Sequence, residues 1–158
     1  MNYRRFGKLE WKVSALGFGC MRLPTVGGEH SKINEPEAIR MIRYAIDHGV
    51  NYVDTAYGYH GGNSEILVGR ALRDGYRERV RLATKLPIWR INSRDDMDRI
   101  FDEQLKKLQT EFLDFYLLHS LNAESWKKAV GLNVFEWAEK VMAEGRIKYL
   151  GFSFHDDY

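Results

Sequence analysis

With a single cysteine, Cys20, the 158-residue chain cannot form an internal disulfide or build a thiolate cluster by itself. A reducing compartment suits it. A dominant charge is also missing, because 24 Lys and Arg stand against 22 Asp and Glu for a formal net charge of +2. Such a balance creates no strong field to recruit nucleic acid or an anionic membrane, and leaves small neutral or mildly anionic partners open. No stretch approaches the roughly 18 to 20 apolar residues of a membrane span. The opening Met1-Asn2-Tyr3-Arg4-Arg5-Phe6 lacks the apolar centre of a signal peptide. These features predict a soluble, cytoplasmic protein. No Ser/Gly/Pro tract or low-complexity run divides the chain. With 44% hydrophobic and 29% charged residues, one domain or part of one is expected over residues 1–158.

What is present is an alternation of short apolar strands and amphipathic helices, the pattern of an α/β chain. Asn2 to Phe6 and Trp11 to Ser14 flank Gly7-Lys8-Leu9-Glu10 and predict a hairpin ahead of a first core strand, Ala15 to Gly19. Asn34 and Glu37 have capping-box spacing. They open a helix whose apolar face is Ile39, Met41, Ile42, Ala45 and Ile46 and which Gly49 ends. Val50 to Asp54 reads as a second strand, Asn63 to Arg73 as a second helix closed by Gly75, and Val80 to Lys85 as a third strand. Ser93 then caps a third helix with Met97, Ile100, Phe101, Leu105 and Leu108 on one face. Phe112 to Leu118 is almost wholly apolar and predicts a strand buried on both sides. Glu124 to Ala143 is helical with a break near Gly131-Leu132-Asn133, and Ile147 to Ser153 makes a fifth strand. Five parallel strands with crossover helices suit either a doubly wound sheet or part of a barrel.

The polar residues separate these two. Strands two, three and four each run apolar and then reach a reactive group: Asp54, Lys85 and His119. Barrel enzymes keep their chemistry at the C-terminal ends of successive strands. Tyr59 follows Asp54 in the next loop. Together the four suit reduction of a carbonyl, which needs a hydride at carbon and a proton at oxygen. A tyrosine, with a reference pKa of about 10, is a poor acid near neutral pH unless a cation such as Lys85 stabilises its phenolate. Asp54 would hold that ammonium charged, and His119 would hydrogen-bond the substrate oxygen. The hydride must come from a nicotinamide, since no side chain supplies one. Singly, each residue has an ordinary explanation: Asp54 as a turn cap, Lys85 snorkelling from a strand end, His119 as a satisfied core histidine, Tyr59 as one of 9 tyrosines. Their joint placement after consecutive strands favours catalysis.

Several other features carry little. Gly17-Phe18-Gly19 is not followed by a helix at dinucleotide-fold spacing and reads as a tight turn. Cys20 and His60 belong to no spaced ligand cluster, so no metal site is expected. His30, His48 and His155 are uninformative, and Trp126, Phe135 and Trp137 read as helix packing.

The chain resembles the aldo-keto reductase family almost from end to end. Tyr3-Arg4-Arg5-Phe6-Gly7 and Val13 to Met21 look like its opening hairpin and first strand. Asp54-Thr55-Ala56-Tyr57-Gly58-Tyr59 with Gly62-Asn63-Ser64-Glu65 matches its most specific signature. Ala83-Thr84-Lys85 and Asp114-Phe115-Tyr116-Leu117-Leu118-His119 look like its lysine and histidine segments. The resemblance implies a (β/α)8 TIM barrel, incomplete here as a hairpin plus about five βα units. It also implies NADPH-dependent reduction of aldehyde or ketone carbonyls, with NADH as the other cofactor choice. Asp54, Tyr59, Lys85 and His119 would be catalytic, and Gly19, Met21, Arg22, Asp54 and Ser153 would lie beside the cofactor.

Two departures stand out. After Gly145 to Gly151 the family usually has Ser-Asn to hold the nicotinamide carboxamide, whereas this chain has Ser153-Phe154-His155-Asp156. That segment resembles a prokaryotic-type branch whose members often carry a C-terminal iron-sulfur region. The second departure is length, because such barrels run to about 250 residues and commonly bind phosphate through loops after strands seven and eight. The alternative reading is a catalytically inactive barrel fragment, or a cofactor-sensing or partner-binding relative that completes its fold by homo-oligomerising through open sheet edges.

Overall fold

Tyr3–Arg5 (β1) and Lys12–Ser14 (β2) pair antiparallel with Tyr3 opposite Ser14, so the hairpin forms where the sequence predicts it. The computed structural model describes residues 1–157, which fall into two units, Met1–Leu82 and Ala83 onward.

In the first unit the hairpin is fastened by the side chain of Asn51. It accepts from the Ser14 amide at 2.8 Å and donates to the Lys12 carbonyl at 3.0 Å. Phe6 meets Trp11 and Tyr52 edge-on, at centroid distances of 6.0 and 6.2 Å. Gly49 also fits under the hairpin. Its φ is 96°, the Tyr3 hydroxyl donates to its carbonyl, and a Cβ there would come within 2.8 Å of Met1 and of the Tyr3 oxygen. The expected strand Ala15 to Gly19 shortens to Phe18–Gly19 (β3). Its first residues are diverted because the Ser14 hydroxyl donates to the Leu16 carbonyl at 2.7 Å, a local bond that competes with ladder pairing. β3 runs parallel to Tyr52–Asp54 (β4), with Gly19 opposite Asp54.

Helix α1 spans Glu35–Asp47, but its expected capping box does not form. Asn34 makes no side-chain cap bond, and the Glu37 carboxylate grips Arg40 through two bonds of 2.6 and 2.8 Å. The buried face is Ala38, Ile42 and Ile46, while Met41, expected inside, is 37% exposed. Helix α2, Ser64–Ala71, is buried over most of its length.

The second unit contains most of β5 (Arg81–Leu86), then α3 (Arg94–Leu108), β6 (Leu113–Leu121), α4 (Ala123–Gly131), α5 (Val134–Ala143) and β7 (Ile147–Phe154). β5 pairs parallel with β6 and β6 with β7, aligning Lys85, Leu117 and Gly151. Ser93 caps α3 by accepting from the Asp96 amide, as predicted. Beneath it Phe101, Tyr116 and Trp137 pack ring on ring at 5.2 to 6.1 Å. The Trp137 indole donates to Asp98 at 2.8 Å. The predicted helix break is real, since Asn133 sits at φ 53° between α4 and α5. β6 runs three residues past Leu118. The register shifts between Leu118 and Leu121, and Ser120 adopts φ 54°, so His119 lies within the strand at an irregularity rather than after it.

Candidate active site

Asp54 ends β4, and Tyr59 opens the 3-10 turn Tyr59–Gly62, its amide donating to the Ala56 carbonyl at 3.1 Å. Both side chains are half-buried. Burial first, and the Asp54 charge second, push the neighbouring Tyr52 phenol well above its usual range. Between these residues and α2 lies a small polar knot. Thr55 and Ser64 are fully buried with their hydroxyls 2.8 Å apart, and Ser64 donates to the Cys20 carbonyl at 3.0 Å. Thr55 is therefore the donor of the pair. The knot fixes the 3-10 turn Cys20–Arg22, which carries Met21 and Arg22, against the segment holding Tyr59.

In the second unit Lys85 is only 4% exposed, an expensive position for an ammonium. Its backbone is held by Gln104 of α3, whose amide donates to the Lys85 carbonyl at 3.1 Å and to the Thr84 hydroxyl at 3.2 Å. The Gln104 oxygen accepts from the Tyr116 hydroxyl at 2.7 Å, so one buried amide stitches α3 to two strands. Lys85 stands opposite Leu117. His119 is two residues beyond Leu117, on the same sheet face, so its ring shares the Lys85 side. Burial, then the Lys85 charge, then the His155 charge hold the His119 imidazole down at about 4, which leaves it neutral near pH 7. Trp89, in the 3-10 turn after β5, lies 5.0 Å from the His119 ring and is 53% exposed.

The second unit thus brings Lys85 and His119 onto one face, and the first carries Asp54 and Tyr59 at a strand end and its following turn. Trp89 and Gln104 were not singled out from the sequence. A polar residue inside the Met97-to-Leu108 stripe marked Gln104, and a tryptophan in the turn after the lysine strand marked Trp89.

The residues expected beside a nicotinamide fit one in part. Gly19 faces open space, with nothing within 4 Å of an added Cβ, and Met21 is 43% exposed. Ser153 accepts from the Ser120 amide at 2.8 Å through its hydroxyl oxygen, which leaves the hydroxyl proton available to another acceptor. Phe154, half exposed opposite Leu121, offers no amide.

Residues 15–157 match the model of the Aldo/keto reductase family. A probable aldo-keto reductase of Glycine max is 33% identical across 94% of this chain and 44% of its own. Among solved structures, the holo form of an aldo-keto reductase from Bacillus halodurans is 32% identical with a TM-score of 0.80, covering 98% of this chain and 50% of that one. An aldo-keto reductase from Klebsiella pneumoniae in complex with NADPH is 34% identical with a TM-score of 0.74, covering 92% and 47%. The chain therefore spans about half the length of these relatives. The α/β expectation, a (β/α)8 barrel present in part, agrees with these matches. The chain therefore belongs to the aldo/keto reductase family.

Proposed function

We propose that this chain is the catalytic portion of an NADPH-dependent reductase of aldehyde or ketone carbonyls, in which Asp54, Tyr59, Lys85 and His119 act together. The observation that carries the reading is the pairing of a buried cation, Lys85, with a neutral imidazole, His119, on one face of adjacent parallel strands. A neutral imidazole donates one hydrogen bond to a carbonyl oxygen without competing for its proton. In this reading Tyr59 would give the proton, and the Lys85 ammonium would stabilise the negative charge that develops as it does so. Asp54 would keep that ammonium charged. A bound nicotinamide supplies the hydride. Gly19, Met21, Arg22 and Ser153 are the residues proposed to hold it, with the Ser153 hydroxyl donating to the carboxamide. NADPH is preferred to NADH because the Klebsiella relative is complexed with NADPH. The proposed setting is the cytoplasm, and no helix among the described residues is long and apolar enough to cross a membrane.

The test is stopped-flow hydride transfer to a generic aldehyde or quinone, in a protein that carries this chain within a complete barrel, alongside fluorescence titration of NADPH. Turnover with NADPH is expected. Tight NADPH binding with no reduction of any carbonyl would replace this reading with a cofactor-sensing one.

A further inference from the structure

The histidine next to the proposed acid is built into the fold in a way the reaction described above does not use. His60 is 1% exposed and adopts φ 53°, ψ 41°, in the middle of the turn that Tyr59 opens. That left-handed conformation is uncommon for a residue with a side chain and persists where surrounding contacts enforce it. Here both ring nitrogens are engaged. The Leu23 amide donates to Nε2 at 3.0 Å, and Nδ1 lies 2.6 Å from the His30 carbonyl. Because an amide N–H can only donate and a carbonyl can only accept, the ring must be the neutral form with its proton on Nδ1. The His30 ring stacks on it at 4.5 Å and 19°.

One imidazole therefore bridges the two ends of the segment from Leu23 to His30, and a second bond, from the Asn63 amide to the Ser31 carbonyl at 3.0 Å, reinforces the far end. Leu23 directly follows the Cys20–Arg22 turn that carries Met21 and Arg22. We propose that His60 is a positioning residue: its Nε2 anchors the cofactor-side turn Cys20–Arg22 to the Tyr59 turn, setting where Met21 and Arg22 meet the dinucleotide. This rests on the reading of Tyr59 as acid and of Met21 and Arg22 as cofactor contacts.

Two variants divide the two bonds. His60→Asn keeps a donor near the Nδ1 position and tolerates left-handed backbone, but its short side chain loses the Leu23 bond. His60→Gln reaches further and can present its oxygen to Leu23. The expected result is that His60→Asn weakens NADPH binding by about tenfold and speeds exchange of the Leu23 amide by a similar factor, as for one lost hydrogen bond. His60→Gln should stay near wild type in both. A role limited to general stability would lower the melting temperature of both variants and leave Leu23 exchange and NADPH affinity equal between them, and that outcome overturns the proposal. Nitrogen NMR of the wild-type imidazole gives a check that needs no variant to fold, since a proton on Nε2 instead of Nδ1 also overturns it. If the wild type within a complete barrel binds no NADPH, the reductase reading fails, while the Leu23 exchange contrast still decides whether His60 anchors the turn.

Discussion

Tyr59 and Lys85 carry the sharpest tests of the proposed chemistry. Tyr59→Phe removes the proposed proton donor and nothing that the proposed dinucleotide contacts need in the ground state. Hydride transfer in the completed barrel is therefore expected to fall by several orders of magnitude, with NADPH affinity within about twofold of wild type. Comparing rate with titration for the same variant checks this. Lys85→Met should also cut the rate strongly, because it removes the cation proposed to stabilise charge developing on the reacting oxygens. His119 supplies a prediction about stability. Its folded value of about 4 lies below its ordinary 6.5, so between those limits the unfolded chain binds the proton that the folded chain refuses. The contribution of His119 to unfolding free energy is thus constant above about pH 6.5, falls as pH drops through that window, and levels off below about 4. Denaturant melts as a function of pH, compared with His119→Gln, would show this fall reduced in the variant; an unchanged pH slope would mean that other groups cause it.

The secondary-structure elements depend on a few polar contacts whose loss has a definable cost. Gln104 joins α3 to β5 and β6 from a fully buried position. Tyr116→Phe leaves the Gln104 oxygen without its hydroxyl donor, and a loss of about 1 to 3 kcal/mol in urea unfolding is expected. Helix α4 begins with a reciprocal capping box, Asn122 accepting from the Ser125 amide and Ser125 accepting from the Asn122 amide, each at 2.8 Å. Asn122→Ala should cost about 1 kcal/mol, measurable in the same way. The contrast with α1 is instructive. Asn34 and Glu37 have the right spacing for a box, yet the carboxylate is taken by Arg40, one turn along the helix. Spacing states which bonds are possible, and competition among nearby partners selects the one that forms.

At the scale of whole units, the second unit exposes Trp126 of α4 together with Tyr149, Phe152 and Phe154 of β7. Leu121, Trp126, Phe152 and Phe154 line a cleft of about 470 Å³, and Phe152 is 64% exposed. The chain by itself is expected to self-associate through this region, because exposed aromatic surface on a strand favours pairing. Sedimentation should show assemblies that Phe152→Lys shifts towards monomer. A wild-type chain that runs as a monodisperse monomer would contradict the expectation.

Much of this protein was legible as a string of residues, and the reason is that local rules governed those parts. Period-3.6 and period-2 patterns located the helices and strands, because burying an apolar face is what makes each element stable. The helix break near Gly131-Leu132-Asn133 and the Ser93 cap followed from short-range chemistry, and the Asp54-to-Glu65 and Asp114-to-His119 motifs pointed to the family that the matches then established. The ends of elements were read less well. β3 lost three residues to a single serine hydroxyl bonding two residues along, and β6 gained three through a bulge against β7, neither of which a hydrophobic pattern records. The neutral state of His119, the burial of Lys85, the clasp of Gln104 and the two-sided grip on His60 depended on tertiary structure alone. Each arises from atoms well separated along the chain meeting in space, where desolvation and hydrogen-bond geometry act.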